Sequence, residues 1–168
     1  MVVPRLEFRE GASRGGKSTG PNPTDRGKLG AKRHILTDQR GNPLAVVITG
    51  ANTHDMNAAT ETLDSAVVKS PAPTRYHGQH LCLDKGCGYP EIRSAAIERM
   101  YVPHMRRRGE MEKPVKRYKP KWWVVERSAP WLIRFRKLLI RWEKKAENYL
   151  GLVQLACFIM TYRRTISG

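Results

Sequence analysis

Two strand-like runs lie close together in the first third of the chain, and the second is the more apolar. They occupy residues 32–37 and 44–49, and the intervening residues 38–43 include a Gly and a Pro, which favour a turn. The second run is apolar throughout from 45 to 48, which is typical of a buried central strand. The pattern therefore predicts a β-hairpin.

Helix and strand alternate in the next part of the chain. Apolar residues recur at intervals near 3.6 from Asp55 to Val67, which predicts a helix capped by Asp55 or the residue before it. The short apolar runs 80–84 and 101–105 predict strands, and a helix is predicted between them at 91–100. This order of elements predicts an α/β fold, in which helices pack on a mixed sheet.

The C-terminal part predicts one amphipathic helix that starts near Glu126 and one buried helix over 147–163. The apolar stripe of the amphipathic helix consists of Trp131, Phe135, Leu138 and Trp142. Its basic stripe consists of Arg134, Lys137, Arg141 and Lys144. The last helix is apolar on most sides, so we expect most of its surface to be covered.

The first thirty residues predict a flexible Gly/Pro-rich segment, followed by one domain over 31–168. Residues 11–18 match the Walker A pattern letter for letter, and 81–84 could pass for a Walker B strand. A phosphate-binding loop needs an apolar strand before it and a helix after it, whereas charged residues precede this match and prolines follow it. A P-loop ATPase is thus a less favoured alternative, and it would require nucleotide binding through Lys17.

Charge narrows the class of partner. The 168 residues carry 31 Lys and Arg against 15 Asp and Glu, a net charge of +16. Such an excess favours polyanions, of which nucleic acid is the commonest. Residues 71–125 hold 12 basic and 5 acidic side chains, and within them 106–121 predicts a basic loop that begins with Arg106, Arg107 and Arg108.

The cysteines, the N-terminal residues and the length of the longest apolar stretch predict a cytoplasmic protein. Three cysteines without a CxxC pair indicate neither a disulfide framework nor a Cys-rich zinc site, and a reducing cytoplasm fits best. The N-terminal ten residues have no apolar core of a secretory signal. The longest apolar stretch, at 150–160, is too short to span a bilayer.

Two carboxylates stand where an α/β protein places functional side chains. Asp84 ends a predicted buried strand, and Glu126 begins the predicted amphipathic helix. Converging carboxylates hold hard divalent cations such as Mg²⁺ or Mn²⁺, and the neighbouring Lys85 and Arg127 suit a phosphodiester substrate. Taken singly, Asp84 could be a strand-end turn former and Glu126 a helix N-terminal charge.

Five ordered blocks make the chain resemble the C-terminal part of bacterial insertion-sequence transposases of the DDE (Asp-Asp-Glu) class. The blocks are GPNPTDRGKLG at 20–30, KRHILTDQRGNPLAVVITGANTHD at 32–55, LCLDKG at 81–86, YVPHMRRRGE at 101–110, and the sequence from WVVER at 123 to TYR at 163. The resemblance implies an RNase H-like mixed sheet flanked by helices, with C-terminal amphipathic and buried helices.

The resemblance also assigns roles. It implies that Asp84 is the second catalytic carboxylate and Glu126 the third, and that both bind Mg²⁺ or Mn²⁺. It also implies that the protein cleaves and joins double-stranded DNA at insertion-sequence ends, and it is compatible with a homo-oligomer. Arg127 and Lys144 are expected to contact DNA phosphates, although a solvated helix face is an equal alternative. The full set of expected DNA-contacting residues is Arg106, Arg107, Arg108, Arg127, Arg134, Lys137, Arg141 and Lys144.

Two features depart from the family pattern. The first catalytic Asp of such enzymes lies upstream of the glycine-rich loop, but residues 1–16 contain no Asp, and Glu7 and Glu10 are their only carboxylates. We also expect the N-terminal helical region of a full transposase to be missing, because the chain is far shorter than such a protein. The sequence therefore predicts a truncated or frame-shifted copy with impaired catalysis, and the alternative is a non-catalytic DNA-binding remnant.

Overall fold

The computed structural model describes residues 2–5, 11–12, 15–23, 25–67, 78–83, 89–105 and 131–167. Its strands are β1 (Val2–Arg5), β2 (Gly11–Ala12), β3 (Gly20–Pro21), β4 (Leu29–Asp38), β5 (Pro43–Gly50), β6 (Gln79–Leu83) and β7 (Tyr101–Met105). Its helices are α1 (Asp55–Asp64), α2 (Pro90–Glu98), a short 3-10 helix (Arg136–Leu138) and α3 (Ala146–Ser167).

The seven strands form one mixed sheet. The five longer strands lie in the order β5, β4, β1, β6, β7, and the two-residue strands β2 and β3 pair with the start of β4. β4 is antiparallel to both β1 and β5, whereas β1, β6 and β7 are mutually parallel. The carboxyl ends of β1, β5, β6 and β7 therefore lie at the same edge of the sheet, where β4 begins. We call it the carboxyl edge.

The predicted hairpin is confirmed as β4 and β5. The carboxylate of Asp38 accepts hydrogen bonds of 2.8 Å from the backbone N–H groups of Arg40 and Asn42, and a third from the Asn42 side chain. Gly41 has φ +82°, which a glycine adopts without a steric penalty. Asp38 thus fixes the turn that sets the strand register.

Helices α1 and α2 cover one face of the sheet. His54 caps α1, since its Nδ1 accepts a hydrogen bond of 3.4 Å from the backbone N–H of Met56. This confirms the predicted helix start, while the helix ends at Asp64, earlier than expected. The buried residues of this layer are Leu36, Ala45, Ala59, Leu63, Leu81, Leu83, Ile92 and Ala96.

Helix α3 covers the opposite face, and it corrects the prediction of a helix buried on most sides. Its buried face packs against Ile35 of β4 and against Leu132 and Leu138. The outer face exposes four large apolar side chains, Leu155, Phe158, Tyr162 and Ile166. The sequence makes this helix apolar on most sides, but within the described part of the chain only one of its faces has a sheet to pack on.

The amphipathic helix predicted from Glu126 is also wrong in the described residues. Residues 131–133 are helical, Phe135 has an extended backbone (φ −81°, ψ 97°), and only the short 3-10 helix follows before α3. The break lets Leu132 and Leu138 reach the same core while Arg141 turns inward. A stripe of apolar residues shows which side chains prefer burial, but not whether one continuous helix buries them.

The N-terminal thirty residues include strands of the sheet. β1, β2 and β3 all pair with β4, so the boundary predicted at residue 30 falls inside β4. Gly11 and Ala12 of the Walker-like match lie in β2, and the described residues after it, 15–23, form turns and β3 rather than a helix. This arrangement lacks the helix N-terminus on which a P-loop depends. None of the helices in the described part of the chain is long and apolar enough to cross a membrane.

Candidate functional site

The predicted catalytic carboxylate, Asp84, follows a strand that ends at the carboxyl edge. β6 confirms the predicted strand and ends at Leu83, so Asp84 is the first residue after a strand whose residues Leu81 and Leu83 are buried. β1 lies beside β6, with Val2 opposite Leu81. Asp84 itself lies outside the described residues, as do Glu126, Arg127 and Arg106 to Arg108. Their roles stay predictions.

An ion pair fastens β4 to the connection between β5 and α1 at this edge. The ammonium of Lys32 donates to the carbonyl of Thr53 at 2.9 Å and lies 3.5 Å from the Asp55 carboxylate. Both charged side chains are only 15% exposed. Because a charge removed from water needs a partner, Lys32 and Asp55 hold each other in place where β5 ends.

A buried histidine lies behind this ion pair. His34 of β4 is fully buried, and its Nε2 is 2.7 Å from the hydroxyl oxygen of Thr49 on β5. Burial, with a smaller contribution from the charge of Lys32, lowers the pKa of His34 from 6.5 to about 4. At neutral pH the imidazole is uncharged and acts as a structural part of the sheet.

Arg141 differs from the surface contact that the sequence predicts. It is 1% exposed, and its guanidinium donates to the carbonyls of Lys17 (2.7 Å), Ser18 (2.8 Å) and Glu143 (3.0 Å). It also lies 5.2 Å from the ring of Tyr149. All of these partners belong to the protein, so Arg141 ties the loop before β3 to the start of α3 and does not present its charge to solvent.

The other three cations of the predicted basic stripe are exposed. Arg134, Lys137 and Lys144 all reach solvent, and the guanidinium of Arg134 lies 5.5 Å from the Trp131 ring. Arg136 and Lys145 are exposed in the same segment, although the helical-stripe argument did not select them. Since a basic segment without a regular helix points cations in several directions, charge density alone would have been the better signal.

The described residues also contain a histidine pair that sequence patterns did not indicate. His80 of β6 and His104 of β7 stack at 5.0 Å between ring centroids, with Nδ1 of His80 2.7 Å from Nε2 of His104. Burial is the main cause that lowers the pKa of His80. Within the described residues, no three His, Cys, Asp or Glu side chains come together as a metal site would need.

Comparison with known proteins gives the family. The family model described as "Transposase DDE domain" matches residues 7–161. The chain is 34% identical over 170 aligned residues to a putative transposase for insertion sequence element IS402 from Burkholderia cepacia, and the alignment covers 96% of this chain and 77% of that protein. No solved structure matches. The chain therefore belongs to the family of insertion-sequence transposases with a DDE domain.

Proposed function

We propose that the chain forms an RNase H-like catalytic domain of a truncated transposase. It binds double-stranded DNA and carries out metal-dependent strand cleavage and transfer in transposition, with catalysis impaired because the first catalytic Asp of the family pattern is missing. The strand order supports this fold, because β1 is central, β4 alone runs antiparallel, and α1 and α2 follow β5 and β6. The observation that carries the proposal is that buried β6 ends at the carboxyl edge with Leu83, the residue that precedes Asp84 in the sequence.

The donor chemistry of the proposed site fits a hard cation. Members of this family generally use divalent metal ions, and the carboxylates proposed to hold one here are Asp84 and Glu126. A bound Mg²⁺ or Mn²⁺ would activate the attacking water or hydroxyl and stabilise the charge that develops on the phosphoryl group. The chain's own contribution on the described side is strand β6, which is anchored in the core by buried Leu81 and Leu83 and ends at the residue before Asp84.

The proposed DNA-binding residues lie on both sides of Glu126 in the sequence. Among described residues, Arg134, Lys137 and Lys144 are exposed cations that can reach phosphate oxygens without disturbing the core. Arg106, Arg107, Arg108 and Arg127 complete the proposed set. Because the substrate is DNA of an insertion sequence, the proposed place of action is the bacterial cytoplasm, with self-association at the paired DNA ends.

A second candidate function is DNA binding without catalysis. It is favoured by one observation, that residues 1–16 contain no Asp and offer only Glu7 and Glu10 as carboxylates. A longer side chain would shift a metal ion that demands near-octahedral geometry. This candidate predicts salt-sensitive DNA binding with no metal-dependent turnover.

The test is cleavage of an end-labelled duplex that carries the inverted repeats flanking the chain's own insertion sequence. The wild-type chain and the Asp84→Ala variant are incubated with Mg²⁺, Mn²⁺ or chelator, and products are resolved on a denaturing gel. We expect metal-dependent nicking by the wild-type chain only. Equal nicking by Asp84→Ala would exclude the proposed site, whereas binding without nicking by either protein would support the second candidate.

A further inference from the structure

We propose that residues 15–23 and 25–28, which we call the edge loop, form a DNA-phosphate contact surface that Arg141 holds in position. The inference rests on the proposed function, since it names a second contact surface for the same substrate. Three exposed cations of this loop, Lys17, Arg26 and Lys28, carry the argument.

The edge loop lies at the carboxyl edge of the sheet. It leads into β4, and its strand β3 pairs with Leu29 and Gly30. Gly20 packs so closely on Asn52, in the β5–α1 connection, that an added Cβ would collide with the Asn52 side chain. The loop therefore lies beyond the end of β5 on the same edge of the sheet, about six residues of β4, or roughly 20 Å, past the level at which β6 ends. A DNA duplex that lies along this edge can reach both places.

The loop is internally ordered. Asn22 is buried, its backbone N–H donates to the Lys28 carbonyl at 2.8 Å, and its own carbonyl accepts from Gly27 at 3.0 Å. The Lys28 N–H in turn donates to the Asp25 carbonyl at 3.0 Å. These bonds close a compact turn, so the cations at its tip do not lose much conformational freedom on binding a phosphate.

Arg141 fixes the other end of the loop to the body of the protein. Its guanidinium donates to the carbonyls of Lys17 at 2.7 Å and Ser18 at 2.8 Å, and the planar group makes both bonds at once. Gly16 abuts the carbonyl of Lys144 so closely that a side chain could not be placed there, and its φ of +119° also requires glycine. Arg141 is thus a positioning residue, and Lys17 is held next to the exposed basic segment 144–145.

The charges of the loop are available for exchange. Lys28 pairs with Asp25 at 3.2 Å and Lys17 with Glu147 at 3.9 Å, but all four side chains are more than half exposed. Exposed pairs of this kind are weak and are screened by salt. A DNA phosphate can therefore replace the carboxylate at little cost, and Arg26 makes the loop net basic.

The experiment measures the salt dependence of DNA binding in chelator, so that cleavage does not interfere. Fluorescence anisotropy of a labelled inverted-repeat duplex is recorded between low and moderate salt for the wild-type chain and for a triple variant, Lys17→Ala, Arg26→Ala and Lys28→Ala. The matched control removes three exposed cations elsewhere, Arg40→Ala, Arg93→Ala and Arg163→Ala. The slope of the logarithm of the association constant against the logarithm of the salt concentration is negative, and each lost phosphate contact reduces its magnitude by about 0.9.

We expect the loop variant to reduce the magnitude of this slope by about 2 to 3, and the control variant to reduce it by less than about 1. Equal slopes in the two variants would overturn the inference and leave the proposed function intact. Failure of the wild-type chain to bind even at low salt would overturn both, which separates the two outcomes.

The role of Arg141 is tested by Arg141→Lys, which keeps the charge but cannot make the paired bonds, in the wild-type and in the triple-variant background. We expect several-fold weaker DNA binding and faster amide hydrogen exchange at 17–23 in the first background, and no further loss of affinity in the second. An equal loss of affinity in both backgrounds would show that Arg141 does not act through the loop. If Arg141→Lys does not fold, the triple variant still decides the proposal.

Discussion

Lowering the pH should unfold this protein partly through one residue, His34. The imidazole is buried between β4 and β5, and its pKa of about 4 lies below the ordinary value of 6.5. Between these two values the unfolded chain binds a proton that the folded chain does not. Stability is therefore complete above about pH 6.5 and falls as the pH is lowered towards 4.

The size of the effect follows from the gap between the two pKa values. Each pKa unit corresponds to about 1.4 kcal/mol, so the difference between 6.5 and about 4 sets an upper value of about 3.5 kcal/mol for the stability lost through protonation of His34. Most of this is lost by pH 4.5, where we expect a loss of about 2.5 kcal/mol. Because domains of this size are marginally stable, such a loss is a substantial part of the total.

The assay is urea unfolding followed by tryptophan fluorescence at pH 7.0 and pH 4.5, for the wild-type chain and for His34→Gln. Glutamine can still bond to the Thr49 hydroxyl but does not titrate. The wild-type chain should lose about 2.5 kcal/mol more than the variant between the two pH values. Equal losses in the two proteins would refute the reasoning, because the other titrating groups are common to both.

Three further predictions concern the packing and ion pairs. Leu138→Ala should lower the free energy of unfolding by about 3 kcal/mol, since Leu138 is 2% exposed, whereas Leu139→Ala, at a position 46% exposed, should cost under about 0.5 kcal/mol in the same urea assay. Asp64→Asn removes the bidentate ion pair with Arg99, which holds the pKa of Asp64 below its ordinary value. The variant should lose at most about 1 kcal/mol of unfolding free energy at pH 7, because the pair is exposed. Its difference from wild type should shrink as the pH falls through the Asp64 pKa, where the wild-type carboxylate also loses its charge. Burial raises the pKa of Cys157 to about 12, so iodoacetamide at pH 8 should modify this thiol much faster in urea than in the folded protein, as read by peptide mass spectrometry; equal rates would contradict its burial.

The elements that the sequence predicted well are those set by local signals. The β4–β5 hairpin follows from a turn whose Asp38 and Gly41 are recognisable in the sequence, and α1 begins where a capping residue precedes an apolar repeat. Strands β6 and β7 are short apolar runs between breakers. Local chemistry was sufficient for these elements because the turn and the cap are satisfied within a few residues.

The features that the sequence did not predict depend on contacts between distant segments. By periodicity Arg141 belongs to a basic stripe that would face solvent. In the structure it turns inward and donates hydrogen bonds to the carbonyls of Lys17 and Ser18, which lie more than 120 residues earlier in the chain. The outer face of α3 is apolar in composition, yet among the described residues no sheet lies beside it. The stacking of His80 on His104 depends on the pairing of β6 with β7. Such contacts leave no periodic signal in the chain.

The central claim, that Asp84 and Glu126 act together in strand cleavage, is tested most directly by comparing Asp84→Asn, Glu126→Gln and the double variant in the metal-dependent nicking assay. Glu61→Gln, at an exposed carboxylate of α1 outside the proposed site, serves as the control. If the two carboxylates form one site, each single variant should abolish nicking as fully as the double variant, while Glu61→Gln nicks like wild type. Substantial nicking by either single variant, or none by the wild-type chain, would contradict the account.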